Sequence, residues 1–473
     1  MKEPVTLDKV LDGKDKAVAD DSRQNVAHSE LSRRGVLGFA AAGAAGLGMG
    51  LSAGPTQAQG IPLPGARPGA RKMPASFLWG VSTAGHQIEG NNVNSDAWLM
   101  ENVKPTIFQE RSGDACDSLS RFQQDIELVK ALGFNSYRFS IEWPRIEPNE
   151  GQFSLAMLDH YKRVIACCHK TGIRAAVSFN HYTTPVWFAA SGGMMRRDGP
   201  DIFARYCRKA AEHLADGMHC AFTLNEPQAP AIIDTLSRGG SRRDIAAMAA
   251  AAARATGSDR FISWKTIDPE AGVAPMISAH KLAFAAIKSV RGNLPTGVCL
   301  ASIDYRGVGP NPVADAVRER IDGPWMAAVR EAGDFVGVQN YWPPYFDDKG
   351  PTVAPKGSEY NGFFVLDYQS LANCVRQAHA ATGKPVLITE NGIDTKDDAK
   401  RIRYTLGTLR ELGLAVAEGI PLLGYLHWSL LDNYEWGTYK SRFGLVAVDP
   451  ATFRRTPKES AHLLGAFARR GRL

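Results

Sequence analysis

Eight short apolar runs, each closed by a polar break and followed by an amphipathic stretch, recur between residues 77 and 428. Residues 77–82, 136–139, 175–179, 221–224, 298–303, 335–340, 386–389 and 423–428 read as strands. Residues 121–132, 155–170, 201–214, 279–290, 371–381 and 405–412 are among the helix-like segments between them. A parallel strand covered on both sides needs apolar residues throughout, whereas the helix that covers it keeps one polar face, so this cadence predicts repeated βα units. Eight such units predict a closed (β/α)8 TIM barrel of the α/β class. An open doubly wound sheet is the alternative, but no Gly-x-Gly-x-x-Gly loop follows the first strand. The Ala-rich stretch 245–255 favours a helix strongly and reads as a cover over the loop after the fourth strand.

With 473 residues, 44% of them hydrophobic, the chain can bury such a core as one domain. The formal charge of +6 is spread among scattered Lys, Arg, Asp and Glu rather than gathered into a basic patch, which argues against nucleic acid as a partner. None of the seven cysteines falls in a CxxC or Cys/His pattern with metal-ligand spacing, so neither a metal site nor a cofactor is expected. Adjacent Cys167 and Cys168 read as buried thiols. Ahead of the barrel, Ser32-Arg33-Arg34 opens an uncharged Ala/Gly-rich run that ends near Thr56-Gln57-Ala58, a small-x-Ala cleavage signal. Residues 1–58 therefore read as a twin-arginine signal peptide that directs the protein to the periplasm or medium through the twin-arginine export machinery. A retained membrane anchor is the alternative, weakened by the low transfer energy of Gly and Ala. Residues 59–72, rich in Pro and Gly, read as a linker, and 73–473 as the barrel domain.

Polar residues gather where the strands end, the face on which barrel enzymes carry their chemistry. Strand three ends at Asn180-His181, strand four at Asn225-Glu226, strand six at Asn340-Tyr341 and strand seven at Glu390-Asn391. Two carboxylates on different strands suit acetal hydrolysis, in which one group protonates the departing oxygen and the other attacks or activates water.

These residues sit in longer runs. They are Phe77-Leu78-Trp79-Gly80, Gln87-Ile88-Glu89-Gly90, Tyr137-Arg138-Phe139-Ser140-Ile141-Glu142-Trp143-Pro144-Arg145, Thr223-Leu224-Asn225-Glu226-Pro227, Ile388-Thr389-Glu390-Asn391-Gly392, and the ten residues from His427 to Trp436. In that order they resemble glycoside hydrolase family one, the retaining β-glucosidase and β-galactosidase family, over nearly everything from Phe77 to Phe467. The resemblance implies Glu226 as acid/base and Glu390 as nucleophile, with Arg138 and Tyr341 supporting the nucleophile. It implies Gln87, His181, Asn225, Trp428 and Glu435 as ligands of the sugar's hydroxyls, with Trp436 at their outer edge. The substrate is then a terminal, non-phosphorylated β-D-glycoside, most simply a β-glucoside. A transglycosylase using the same glycosyl-enzyme and a non-catalytic sugar-binding protein are the rivals, and the sequence leaves the oligomeric state open.

The pattern departs from the family in three places. Tyr182-Thr183-Thr184-Pro185 stands where an aromatic, a polar residue and Leu-Pro are usual, so the third loop is expected to differ. Gly437 to Ser441 is five residues long where six are commoner, on the side of the sugar's O6. Trp342 replaces a usual tyrosine. The Glu435-Trp436 pair argues against a 6-phosphate, for which nearby Lys440-Ser441 is the one candidate.

Overall fold

A computed structural model describes residues 72–362 and 364–473. The assignments of 1–58 as a signal peptide and of 59–71 as linker lie outside the described residues. Eight parallel strands close into a barrel in sequential order. They are β1 (Leu78–Ser82), β2 (Ser136–Ser140), β3 (Arg174–Ser178), β4 (Cys220–Asn225), β5 (Thr296–Ala301), β6 (Phe335–Gln339), β7 (Val386–Glu390) and β8 (Leu422–Trp428). Closure pairs β1 with β8, Leu78 opposite Gly424 and Ser82 opposite Trp428.

Seven strands lie within one residue of their expected bounds. β5 starts two residues before the expected 298 and ends two before the expected 303; Thr296 and Gly297 both belong to the ladder, the glycine despite a weak strand propensity. A Cβ on Gly297 would stand 2.7 Å from the backbone oxygen of Phe335, so the close approach of β5 to β6 requires glycine there.

The barrel interior is a packed layer, not a pore. Leu78, Ala176, Cys220, Phe222, Cys299, Phe335, Leu387 and Leu426 fill it, with Phe222 edge-on to Phe335 at 5.6 Å between centroids. The outward side chains of the strands pack beneath a ring of helices, α1 (Ser118–Leu132), α2 (Leu155–Thr171), α3 (Gly199–Leu214), α5 (Val273–Val290), α6 (Ala314–Glu331), α7 (Ser370–Thr382), α8 (Asp398–Ala417) and α9 (Glu459–Arg470), while α4 (Arg242–Thr256) lies outside that ring. Each expected helix is present and longer than its apolar periodicity suggested. At the start of α8 the extra turn is polar and held by a cap: the Asp397 side chain accepts from the Lys400 N–H. Helix α6 runs on through Gly323-Pro324, residues that commonly interrupt a helix. Trp325, fully buried one residue later, gives that turn a tertiary reason to stay helical.

The Ala-rich α4, expected as a cover over the loop after the fourth strand, lies over the strand-end face against the loops after β1 and β3. Met248, Ala251, Ala252 and Ala253 pack against Met100, Val103, Phe108 and Ala189 from the loops after β1 and β3. All seven cysteines are free thiols, six of them buried, and burial pushes the Cys168 thiol up to about 12. Among the described residues, no helix is long and apolar enough to cross a membrane.

Candidate active site

Both strand-end glutamates lie next to irregularities in the barrel ladder. The β4–β5 register shifts between Phe222 and Asn225, and the β7–β6 register shifts between Ile388 and Glu390. Bulges of this kind re-aim side chains at the rim of a barrel. In an unbroken strand Asn225 and Glu226 would point to opposite faces. Here Glu226 takes a left-handed φ of 43°, its N–H bonds the Cys299 oxygen at 2.8 Å, and both side chains line one pocket with Glu390.

Glu390 is the more tightly held of the two carboxyls. Arg138 on β2, fully buried, donates to its Oε1 at 2.5 Å and to Asn225 Oδ1 at 2.5 Å. Gln339, the last residue of β6, donates to the same two oxygens at 2.9 and 2.8 Å. Tyr341 donates to Glu390 Oε2 at 2.7 Å. Glu226 accepts from the Tyr182 hydroxyl.

This asymmetry decides where a proton sits. Burial pushes Glu226 up to about 8, and the neighbouring charge of Glu390 adds to the rise. Burial also raises Glu390, but Arg138, Tyr341 and Gln339 all draw it back toward the anion. The surroundings therefore favour the anion at Glu390 and the proton at Glu226, the division that acid-assisted attack on an acetal needs.

Across the pocket, Gln87 donates to Glu435 Oε2 at 3.1 Å and Trp428 Nε1 donates to Glu435 Oε1 at 3.2 Å. The Asn225 amide and His181 Nε2 lie 3.2 Å apart, and the His181 ring stacks on Trp428 at 5.7 Å. Gln87 Oε1 and His181 Nδ1 are buried without a protein partner in a pocket they both line. A buried polar atom left open in this way is one that a ligand hydroxyl can satisfy. Burial holds His181 neutral, well below its usual pKa, and drives Glu435 well above the usual carboxylate range, with Asp394 adding to the rise. Trp436 closes the edge among His181, Tyr182 and Trp264. The structure thus brings together Gln87, Arg138, His181, Asn225, Glu226, Tyr341, Glu390, Trp428, Glu435 and Trp436. Asn340, by contrast, turns away to the Ser302 oxygen at 2.9 Å and serves the loop.

The departures from the family pattern acquire physical reasons. Thr183 and Thr184 tie the third loop down, Thr183 Oγ1 donating to Glu142 at 2.6 Å and Thr184 donating twice to Asp96 at 3.0 and 2.9 Å. Trp342 lines the pocket and lies 4.1 Å from the Phe364 ring, on the hairpin Tyr360–Asn361 and Phe364–Val365 that the loop after β6 carries. The shorter segment at Gly437 is anchored on Glu110, which accepts from Thr438 Oγ1 at 2.9 Å and the Tyr439 N–H at 2.7 Å. Lys440 is exposed and outside the pocket lining, while Asp394 lines that side. A 6-phosphate would meet carboxyls there and no ammonium. Two site residues escaped the sequence reading, Gln339 and Tyr182. The first is marked only by its place one residue before Asn340. Among the described residues no group of three or more His, Cys, Asp or Glu side chains could hold a metal ion.

A barrel with two strand-end carboxyls in unequal settings, facing open hydrogen-bonding groups and an indole, is a site for cleaving glycosidic bonds. Residues 70–237 and 355–472 match the model of glycosyl hydrolase family 1. β-Glucosidase A of Thermotoga maritima is 32% identical over 437 residues, covering 83% of this chain and 96% of that protein. The β-glucosidase of an Agrobacterium species is 28% identical, covering 84% and 96%. Among solved structures, β-glycosidase BGL167 superposes with a TM-score of 0.80 at 43% identity, covering 84% of this chain and 97% of that one. The Thermotoga maritima β-glucosidase in complex with noeuromycin gives 0.73 at 26% identity, covering 85% and 99%. The chain belongs to glycosyl hydrolase family 1 and is a glycoside hydrolase.

Proposed function

We propose that this hydrolase is a retaining β-glucosidase acting on terminal, non-phosphorylated β-D-glucosides, with Glu226 as acid/base and Glu390 as nucleophile. The observation that carries the reading is the unequal setting of the two carboxyls: Glu390 accepts from Arg138, Tyr341 and Gln339, which favour its anion, while burial and the Glu390 charge push Glu226 up to about 8 and favour its proton. Glu390 attacks the anomeric carbon while Glu226 protonates the departing oxygen. Glu226, now a carboxylate, then takes a proton from the water that releases the sugar. Gln87, His181, Asn225 and Glu435 take the sugar's hydroxyls, and the Trp428 indole takes its C–H face. The names of the relatives support glucose as the sugar, and Asp394 beside Glu435 disfavours an anionic group at C6.

Two inversions at the anomeric carbon restore its configuration. Proton NMR of the first product from an aryl β-glucoside is expected to show the β anomer, with the α anomer growing in only by mutarotation. The α anomer appearing first would mean single displacement and would overturn the nucleophile assignment.

We also propose export by the twin-arginine route, on the strength of Arg33-Arg34 ahead of a weakly apolar run and a small-x-Ala site. A guanidinium pair is not interchangeable with two ammonium groups. Replacing both arginines by lysine is therefore expected to leave full-length, folded protein in the cytoplasm, measured by fractionation and immunoblot. Unchanged export of that variant would refute the assignment.

A further inference from the structure

Tyr182 sits between the two halves of the site and is absent from the roles assigned above. Its ring is buried and stacks face to face on Trp264 at 4.1 Å with 16° between planes. The Trp436 ring meets it edge-on at 5.0 Å and His181 edge-on at 5.1 Å. The backbone is left-handed at Tyr182, with φ of 73°, and again at Glu226 and Trp436, with φ of 43° and 47°. Bulky side chains rarely adopt this region, and strain of this kind persists where the surroundings over-determine it. Here three such residues line one pocket. A ring placed only to fill space would not need a hydroxyl, yet this one donates to Glu226 Oε2. Burial, followed by the charges of Glu226 and Glu390, pushes the phenol well above its usual range, so it stays a donor at any working pH.

We infer that Tyr182 is a positioning residue for the acid/base: its hydroxyl engages Oε2 of Glu226 in both protonation states and leaves Oε1 to carry the proton that is transferred. The inference rests on the reading of Glu226 as the acid/base. A retaining enzyme uses the same carboxyl first as acid and then as base. A donor fixed on one oxygen keeps the other oriented toward the glycosidic oxygen in the first step and toward water in the second. It also favours the carboxylate and thereby limits how far burial lifts the group. The groups acting on Glu226 come from several elements: Glu390 from β7, Arg138 from β2 and Tyr182 after β3. Tyr341, His181 and Glu435 face the same pocket.

The test is Tyr182→Phe, which keeps the stacked ring and removes the donor. The basic limb of kcat/KM reports proton loss from the acid in the free enzyme. With the bond gone the carboxylate is less favoured, so this limb is expected to move to higher pH by about one unit, the scale of one hydrogen bond to a charged group. Titration of the 13C-labelled Glu226 carboxyl by NMR is expected to move with it. A fluorinated tyrosine placed at position 182 is a stronger donor and should shift the limb to lower pH. If the limb and the NMR titration hold their wild-type positions in both variants, Tyr182 is packing alone and the inference is overturned. Azide rescue of Glu226→Ala, run alongside, separates the two readings. No β-glycosyl azide would sink the acid/base assignment itself, whereas rescue together with unmoved titrations would remove only the role of Tyr182.

Discussion

Glu390→Gly is expected to lower hydrolysis of every β-glucoside, activated or not, by on the order of 10⁶-fold, since no side chain remains to form the covalent intermediate. That is about 8 kcal/mol of transition-state stabilisation. The structure adds two consequences. Arg138 is fully buried and loses its anionic partner, keeping the Asn225 oxygen, the Cys299 sulfur and the Phe222 ring. Removing one member of a buried ion pair commonly costs about 3–5 kcal/mol, so the melting temperature should fall as well. Azide or formate can enter the space left by the carboxylate, facing the same guanidinium. Either anion should therefore raise the melting temperature and restore turnover of an aryl β-glucoside together, with an α-linked azide adduct as the product of the first. Loss of the Glu390 charge also removes a cause of the high Glu226 pKa, so Glu226 should titrate lower in this variant than in the parent. Retention of substantial activity without added anion would end the assignment of Glu390 as nucleophile.

The barrel was legible because its two-sided burial leaves apolar runs in the chain, and the eight runs translate directly into β1 to β8. What periodicity could not show is where a strand ends for tertiary reasons. The early start of β5 depends on the contact between Gly297 and Phe335, partners separated by about a helix and a half of chain. The continuation of α6 past Pro324 likewise depends on what Trp325 packs against. Propensity is local, and these decisions are not.

The site was legible for a different reason. Residues such as Arg138, Glu226 and Glu390 stand in motifs whose order is itself informative; the two glutamates line one pocket, and Arg138 lies behind it on Glu390. Gln339 was missed because it precedes the more conspicuous Asn340-Tyr341. Strand alternation puts Gln339 toward the pocket, with its amide on Glu390 and Asn225, and sends Asn340 to the Ser302 oxygen instead. Counting by two from the strand end would have favoured Gln339. Tyr182 offered no such clue. Its contact with Glu226 depends on left-handed backbone at both residues, which a sequence of non-glycine residues does not announce.

Glu226→Ala is expected to behave unlike the nucleophile variant, and the difference follows from what each step asks of the carboxyl. In the first step it protonates the leaving oxygen. A dinitrophenolate departs without that help, so formation of the glycosyl-enzyme from a dinitrophenyl β-glucoside should be little changed. An alkyl glucoside or a disaccharide should lose about 10²- to 10⁴-fold. In the second step the same residue activates water, so the variant should accumulate intermediate on the activated substrate, with kcat and KM falling together and a burst of dinitrophenolate. Azide needs no base. It should attack from the face that Glu226 occupied, opposite the bond to Glu390, and release a β-glycosyl azide. Removal of the carboxyl also strips the Tyr182 hydroxyl of its acceptor, a loss of about 1–3 kcal/mol if no water replaces it. Glu226→Gln controls for that cost, because the amide oxygen still accepts from Tyr182 while offering no transferable proton. Gln should thus retain more of the melting temperature than Ala, lose as much activity on poor leaving groups, and respond less to azide because its side chain fills the space. An α-linked adduct from Glu226→Ala, or full activity of either variant on a disaccharide the parent cleaves, would show that the acid/base lies elsewhere.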